Sequence, residues 1–236
     1  MPQTKINILT TRPIGQPLID EAAAKGIKIQ TQSFINTIPI DTAYVQQEIE
    51  QAFLQSTIVV FTSMNAVEAV ANYLEDQQPD WQIYTLGQTT QSLAVKHFGE
   101  HSIAGTAGNA TELAEKIVEE IEADQVLFFC GDQRRDELPT ILESNDIEVQ
   151  EIEVYQTIPT PIKIPSQFDG ILFFSPSAVD SFFSVNKISE KTLLFAIGDT
   201  TARQIKKHSN NKTIVSDSPG KETLFKAMME VFSTGN

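Results

Sequence analysis

The chain says nearly the same thing twice. Ile58-Val-Val-Phe-Thr-Ser-Met-Asn-Ala-Val67 returns as Ile171-Leu-Phe-Phe-Ser-Pro-Ser-Ala-Val179, and Tyr84-Thr-Leu-Gly-Gln-Thr-Thr90 returns as Phe195-Ala-Ile-Gly-Asp-Thr-Thr201. Ala66 to Ala178 is an offset of 112, and Gly87 to Gly198 one of 111. A shared offset over so long a separation marks two copies of one structural unit. In a chain of 236 residues each copy has ordinary domain size. Two similar lobes leave a cleft, and clefts are where small molecules bind.

Within each copy, short apolar runs alternate with segments of helical period, the pattern of α/β proteins with parallel sheets. The first half predicts strands at 6–10, 27–34, 58–61 and 83–86. It predicts helices at 13–25, after 61, at 89–98 and at 111–122. The second half predicts strands at 125–130, 147–155, 170–174, 193–197 and 213–215, with helices through 138–143, after 174, and at 201–208 and 222–232. The opening repeats more weakly: Ile8-Leu-Thr-Thr-Arg12, helix, Ile27 corresponds to Leu127-Phe-Phe-Cys-Gly131, helix, Ile147. Each lobe is then about five strands with intervening helices, a flavodoxin-like parallel sheet.

Two proline-bearing extended segments fit neither lobe, Phe34-Ile-Asn-Thr-Ile-Pro-Ile40 and Val154-Tyr-Gln-Thr-Ile-Pro-Thr-Pro161. Proline confines each to β or polyproline geometry at a sheet edge. Their matching Thr-Ile-Pro triplets predict a two-stranded β linker at 37–40 and 154–161. If they pair, 41–153 is one lobe, and 1–36 with 162–236 is the other; two sequential lobes are the alternative.

A net charge of −14 argues against a nucleic-acid surface, which needs a basic face. The start, Met1-Pro-Gln-Thr-Lys-Ile6, does not read as a signal peptide, and no apolar stretch approaches membrane-spanning length. The expectation is a cytoplasmic monomer with neither nucleic-acid nor membrane partner. The single cysteine, Cys130, sits in the apolar run Val126-Leu-Phe-Phe-Cys130 and reads as a small buried thiol. His97, His101 and His208 form no ligand-spaced cluster, so no metal is expected.

In open parallel sheets, ligands bind at the carboxyl ends of the strands, where helix N-termini expose unpaired N–H groups. This chain decorates those turns with small residues: Thr62-Ser63, Gly87-Gln-Thr89-Thr90, Ser175-Pro-Ser177 and Gly198-Asp-Thr200-Thr201, then Gly108-Asn109-Ala110 and its counterpart Pro219-Gly220. Any one of these is an ordinary helix cap worth ~1 kcal/mol. Six in two sets point to a cleft lined for carboxylates or phosphates. No Gly-x-x-x-x-Gly-Lys-Ser/Thr or Gly-x-Gly-x-x-Gly motif supports a nucleotide. Arg12 and Arg134 follow the first strand of each copy. Each can grip a ligand carboxylate bidentately or bridge to nearby acids such as Asp136 and Glu137. Tyr155, in the linker segment, is either a proton donor overlooking the cleft or a half-buried strand aromatic.

Taken in order, these motifs resemble the uroporphyrinogen-III synthase family. They are Thr10-Thr-Arg-Pro13, Phe61-Thr-Ser-Met-Asn-Ala-Val67, Gly108-Asn-Ala-Thr-Glu-Leu113, Cys130-Gly-Asp-Gln-Arg-Arg-Asp-Glu-Leu-Pro139, Val154-Tyr-Gln-Thr157, Phe174-Ser-Pro-Ser-Ala-Val179 and Ala196-Ile-Gly-Asp-Thr-Thr-Ala202. The resemblance implies the swapped two-lobe arrangement with paired linker strands. It also implies a cofactor-free reaction on hydroxymethylbilane, a linear tetrapyrrole. Water leaves, the far pyrrole attacks through its substituted carbon, and the spiro intermediate recloses with ring D inverted. It further implies Tyr155 as the acid that helps the hydroxyl depart. Ser63, Thr89, Thr90, Asn109, Ser175, Ser177, Thr200 and Thr201 fall in the turns that the resemblance implies line the cleft; with Arg12, Thr62, Gly87, Ala110, Gly131, Arg134 and Gly198 at the same strand ends, they make up the expected substrate-binding positions. Family members often carry proline where Asp199 stands; an added anion beside a polyanionic substrate is unfavourable, so Asp199 is left outside the expected site. The rival expectation is a non-catalytic two-lobe binding protein for an anionic small molecule.

Overall fold

Central strands that are apolar through their middles form parallel sheets covered on both faces, and three segments here have that character: Thr57–Phe61, Gln125–Gly131 and Gly170–Phe173. The computed structural model describes residues 6–165, 167–218 and 220–233; Pro219, part of the sixth predicted turn, lies outside them. The elements run β1 (Ile6–Thr10), α1 (Gln16–Ala24), β2 (Ile27–Thr31), β3 (Ile35–Pro39), α2 (Ala43–Phe53), β4 (Thr57–Phe61), α3 (Met64–Ala71), β5 (Trp81–Leu86), α4 (Gln88–Phe98), β6 (Ile103–Ala107) and α5 (Ala110–Glu120). They continue with β7 (Gln125–Gly131), α6 (Glu137–Glu143), β8 (Glu148–Pro159), β9 (Gly170–Phe173), α7 (Pro176–Val185), β10 (Leu193–Ala196), α8 (Asp199–His208), β11 (Thr213–Val215) and α9 (Lys221–Ser233). The chain divides into two compact units, Met1–Asn36 with Ile158–Asn236, and Thr37–Thr157.

In the first unit the sheet order is β2-β1-β9-β10-β11, and every pairing is parallel. Counted along the chain within the unit, this is the order 2-1-3-4-5 of the flavodoxin-like sheet. Side chains alternate between two cores. Leu9, Ile171 and Phe173 pack with Phe182 and Ile205 on one face, and Ile8, Leu172 and Phe195 pack with Phe225 and Met228 on the other. The sheet is therefore sandwiched between two layers of helix.

The second unit's sheet order is β3-β8-β7-β4-β5-β6, parallel from β8 through β6. Counting β7 as the first strand and β8 as the second, β4, β5 and β6 become the third to fifth, and the order is again 2-1-3-4-5. This is the permutation that the weaker repeat of residues 8–12 at 127–131 requires. Val59, Phe61 and Phe129 enter one core, where Phe61 stacks on Phe129 at 5.5 Å, and Val60 and Phe128 enter the other. β3 and β8 are neighbours. The Ile40 N–H donates to the Val154 carbonyl at 2.9 Å, and the Thr160 N–H to the Phe34 carbonyl at 2.9 Å. Those contacts run in opposite senses along the two strands.

Four details differ from the sequence-based expectation. Helix α1 starts at Gln16 rather than at Pro13, because Gly15 adopts φ 89° just before it. The strand predicted at 27–34 breaks into β2 and β3. Helix α2, absent from that reading, is capped by Thr42, whose hydroxyl accepts from the Val45 N–H at 3.3 Å, and buries Val45, Ile49, Ala52 and Phe53. Strand β6 has no counterpart in that expectation: its sequence, Ile103-Ala-Gly-Thr-Ala107, is short, made mostly of small residues and interrupted by a glycine.

Candidate active site

In a 2-1-3-4-5 sheet the helices leaving the first and third strands diverge, and a crevice opens at their carboxyl ends. In the second unit those strands are β7 and β4. They end at Gly131-Asp132 and Thr62-Ser63. In the first unit they are β1 and β9, ending at Thr11-Arg12 and Phe174-Ser175. The repeat thus puts a capping serine after the third strand of each unit, Ser63 and Ser175, whereas the first strands end differently, in Gly131-Asp132 and Thr11-Arg12.

The predicted turns sort into two kinds. Ser63, Asn109 and Ser175 are true caps: their side-chain oxygens accept from the N–H groups of Asn65 (3.2 Å), Glu112 (2.9 Å) and Ala178 (3.2 Å). Glu112 also accepts from the Gly108 N–H at 3.2 Å, so the turn before Ala110 is largely satisfied from within. The Ser177 hydroxyl lies 3.2 Å from that of Ser175. By contrast α4 and α8, which are repeat partners, begin at Gly87 and Gly198 with no side-chain cap. A Cβ at either glycine would meet nothing within 4 Å, so the approach to their first N–H groups is open. Thr89 and Thr200 are exposed, while Thr90 and Thr201, one residue on, are buried. Thr62 is half-buried, and Asp199 is exposed in the first turn of α8.

Tyr155 sits on β8 beside the β7–β4 crevice. The β7–β8 register slips by one residue, so that Cys130 faces Glu153 and Gly131 faces Tyr155. Such a bulge re-aims the side chains beyond it. Tyr155 therefore packs against the same core as Ile152 and Val154 instead of alternating away from them. Burial raises the phenol pKa above its ordinary value; hydrogen bonding with Ser63 and then Asn65 opposes the rise, and Asp132's charge adds to it. The phenol is protonated throughout the neutral range.

The ring borders a cavity of about 310 Å³ lined also by Asn65, Glu68 and Ala69 of α3 and Asn72 at its C-terminal cap, by Lys96 and His97 of α4 and by residues 37–39 of β3. The sequence reading missed these residues. Asn65, Glu68, Ala69 and Asn72 have the spacing of one helical stripe, opposite the apolar stripe of Val67 and Val70 by which α3 was recognised. Lys96 makes no ion pair among the described residues.

The two arginines differ. Arg12 is exposed and, among the described residues, makes no ion pair. Arg134 donates from Nε to Glu151 at 2.6 Å and from a terminal nitrogen to Asp136. Of the two readings open for Arg134, the structure displays the bridge to the protein's own acids, which leaves little of its guanidinium for a ligand. Cys130 is 1% exposed, and burial, with Glu151's charge, pushes its thiol up to about 12. It is inert packing. Among the described residues there is no cluster of three or more His, Cys, Asp or Glu side chains able to hold a metal, and no helix long and apolar enough to cross a membrane.

A family model described as Uroporphyrinogen-III synthase HemD matches residues 16–226. The chain is 25% identical over 177 residues to the uroporphyrinogen-III synthase of Saccharomyces cerevisiae (strain ATCC 204508 / S288c); the match takes in 62% of this chain and spans 62% of the length of that relative. Its fold is similar to the crystal structure of uroporphyrinogen-III synthetase from Helicobacter pylori 26695, with a TM-score of 0.68 and 18% identity over 96% of this chain and 99% of the other. It is also similar to a mutant uroporphyrinogen III synthase from the extremely thermophilic bacterium Thermus thermophilus, with a TM-score of 0.62 and 9% identity over 97% and 99%. The likeness to those structures shows a shared α/β fold, and the family model's match over most of the chain shows that it belongs to the uroporphyrinogen-III synthase family.

Proposed function

We propose that this protein closes hydroxymethylbilane to uroporphyrinogen III, with loss of water and inversion of ring D. The observation that carries the reading is the family match over residues 16–226. Its chemistry suits a protonated phenol, Tyr155, bordering a cavity with a lysine.

The lone pair of the terminal pyrrole nitrogen expels the hydroxyl. Tyr155 supplies the proton with which it leaves as water, and the C–O bond breaks to give an azafulvenium cation and a phenolate. Ser63 and Asn65 hydrogen-bond that phenolate. The far pyrrole attacks through its substituted carbon, and the spiro species fragments and recloses. The proton released on rearomatisation returns to Tyr155, so the cycle balances. Most of the acceleration is conformational: the protein holds a flexible chain in one reactive shape. The exposed Glu68 and the strongly acidic chain favour the cationic stage.

The substrate's acetates and propionates have partners of two sorts. In the second unit Lys96 offers charge and the open amide end of α4, at Gly87, offers N–H groups; in the first unit Arg12 and the open end of α8, at Gly198, offer the same two kinds. Ser63, Asn109 and Ser175 act first as caps. We take 1–36 with 162–236, and 41–153, as the enzyme's lobes, linked through 37–40 and 154–161, and expect a cytoplasmic, cofactor-free monomer.

Complementation tests the proposal. A bacterial strain lacking its own synthase should form type III porphyrins and grow without added haem when it expresses this chain. Soluble expression without rescue would contradict the assignment.

A further inference from the structure

Of the described glycines, Gly131 is the one whose missing side chain would meet a neighbour most closely, and that neighbour is the Tyr155 ring; Gly105 stands in a similar relation to the Tyr84 ring. A Cβ at Gly131 would lie against Cζ of Tyr155, 2.5 Å from Cε2 and 2.8 Å from the phenol oxygen. No side chain tolerates such separations, and the obstacle is a ring, not the free end of a flexible chain. Gly131 has no positive φ to explain it, so its smallness serves close approach. It is also buried, beneath the ring.

The next residue holds the same strand from the other side of the bulge. The Asp132 N–H donates to the Tyr155 carbonyl at 3.2 Å, and the Asp132 carboxylate accepts from the Thr157 N–H at 2.9 Å. Backbone on both sides of the Gln156 peptide is thereby tied to β7, at the point where the register slips. Without that tie, β8 could revert to regular alternation, which would turn the phenol away from Ser63 and the cavity.

We propose that Gly131 and Asp132 are positioning residues for the Tyr155 phenol: the glycine is the seat of the ring, and the aspartate pins the bulge that aims it. This rests on the reading of Tyr155 as proton donor and replaces the expectation that Gly131 touches substrate.

The test combines turnover of hydroxymethylbilane with NMR of protein carrying ¹³C-labelled tyrosine. The chain has four tyrosines, and the Tyr155 ring signal is identified by its absence from Tyr155→Phe. In Gly131→Ala that signal should move, and kcat should fall by the ~10²-fold typical of a lost general acid, with KM within about twofold. The Gly131→Ala/Tyr155→Phe double variant should fall no further than either single one, because both act through one hydroxyl. Asp132→Ala should lower kcat less, and Asp132→Asn, which keeps the accepting oxygen, should restore it. An unmoved ring signal, wild-type kcat in folded Gly131→Ala, or losses that multiply would overturn the proposal. If Gly131→Ala does not fold, the exposed Asp132 decides, and wild-type turnover with an unmoved ring in Asp132→Ala overturns it. Full activity in Tyr155→Phe would instead sink the proton-donor reading, and the ring signal would still judge the seat.

Discussion

Lys96 and Tyr155 border one cavity, the lysine from the last turn of α4 and the phenol from β8. On the proposed reading, a cation one helix-end away from the phenol suits a substrate that carries carboxylates close to the carbon where it reacts. Lys96→Met should raise KM about tenfold, the scale of one charge-assisted contact, with kcat nearly unchanged. Lys96→Arg should recover most of the loss, and the effect should shrink at high salt. Steady-state kinetics at two ionic strengths checks this; an unchanged KM would leave the lysine as a surface charge offsetting the helix end.

Tyr155→Phe should lower turnover ~10²-fold while substrate affinity and unfolding midpoint hold. The pH dependence is distinctive. The phenol's pKa is raised above 10.0, so its proton is present at all lower pH values. No loss of activity with the character of phenol ionisation should therefore occur below about pH 10 in a pH–rate profile. A basic limb near pH 8 that disappears in the phenylalanine variant would contradict this protonation state.

Gly87 and Gly198 open equivalent helices with different backbones. Gly87 has φ 76°, whereas Gly198 is extended at φ 179°. Alanine at 87 should cost ~1–3 kcal/mol, because φ 76° with ψ 152° is a conformation that essentially only glycine adopts. Alanine at 198 should cost under about 1 kcal/mol, yet it should weaken substrate binding, because its methyl intrudes on the open amide end of α8. Urea unfolding beside KM for both variants separates strain from occlusion.

Within the first unit, His208 and Gln204 both meet Asp180 Oδ1 at 2.5 Å, and the His208 ring stacks on Phe183 at 5.4 Å. Burial raises the Asp180 pKa, but the hydrogen bonds from Gln204 and His208 outweigh it, and the net shift is downward. A depressed folded-state pKa stabilises above the unfolded value, near 3.8, and that stabilisation is lost as pH falls through the folded value. Asp180→Asn should thus be less stable than wild type at pH 5–7 by urea unfolding. The gap should narrow below about pH 4.

Much of this architecture is legible in the sequence because parallel strands buried on both faces must be continuously apolar. Ile58-Val-Val-Phe61 and Val126-Leu-Phe-Phe129 show themselves for that reason, and the first returns as Ile171-Leu-Phe-Phe174. The cavity is less legible. Asn65, Glu68 and Asn72 belong to the polar stripe of a helix whose apolar stripe carries the periodic signal. Lys96 and His97 stand in the last turn of a helix, where basic residues are commonplace. The side on which Tyr155 emerges depends on a one-residue slip beside Gly131, which alternation along β8 cannot reveal. Arg134 was open because sequence gives a guanidinium several neighbours; Glu151, which claims it, comes from the adjacent strand 17 positions on.

The most direct measurement is isomer analysis of the product. Freshly generated hydroxymethylbilane is incubated with the protein, and the porphyrinogens are oxidised and separated into types I and III. Wild type should give type III as the main product in proportion to enzyme concentration, and Tyr155→Phe should shift the mixture toward type I, the isomer of unassisted closure. Type I alone from folded wild-type protein would contradict the account.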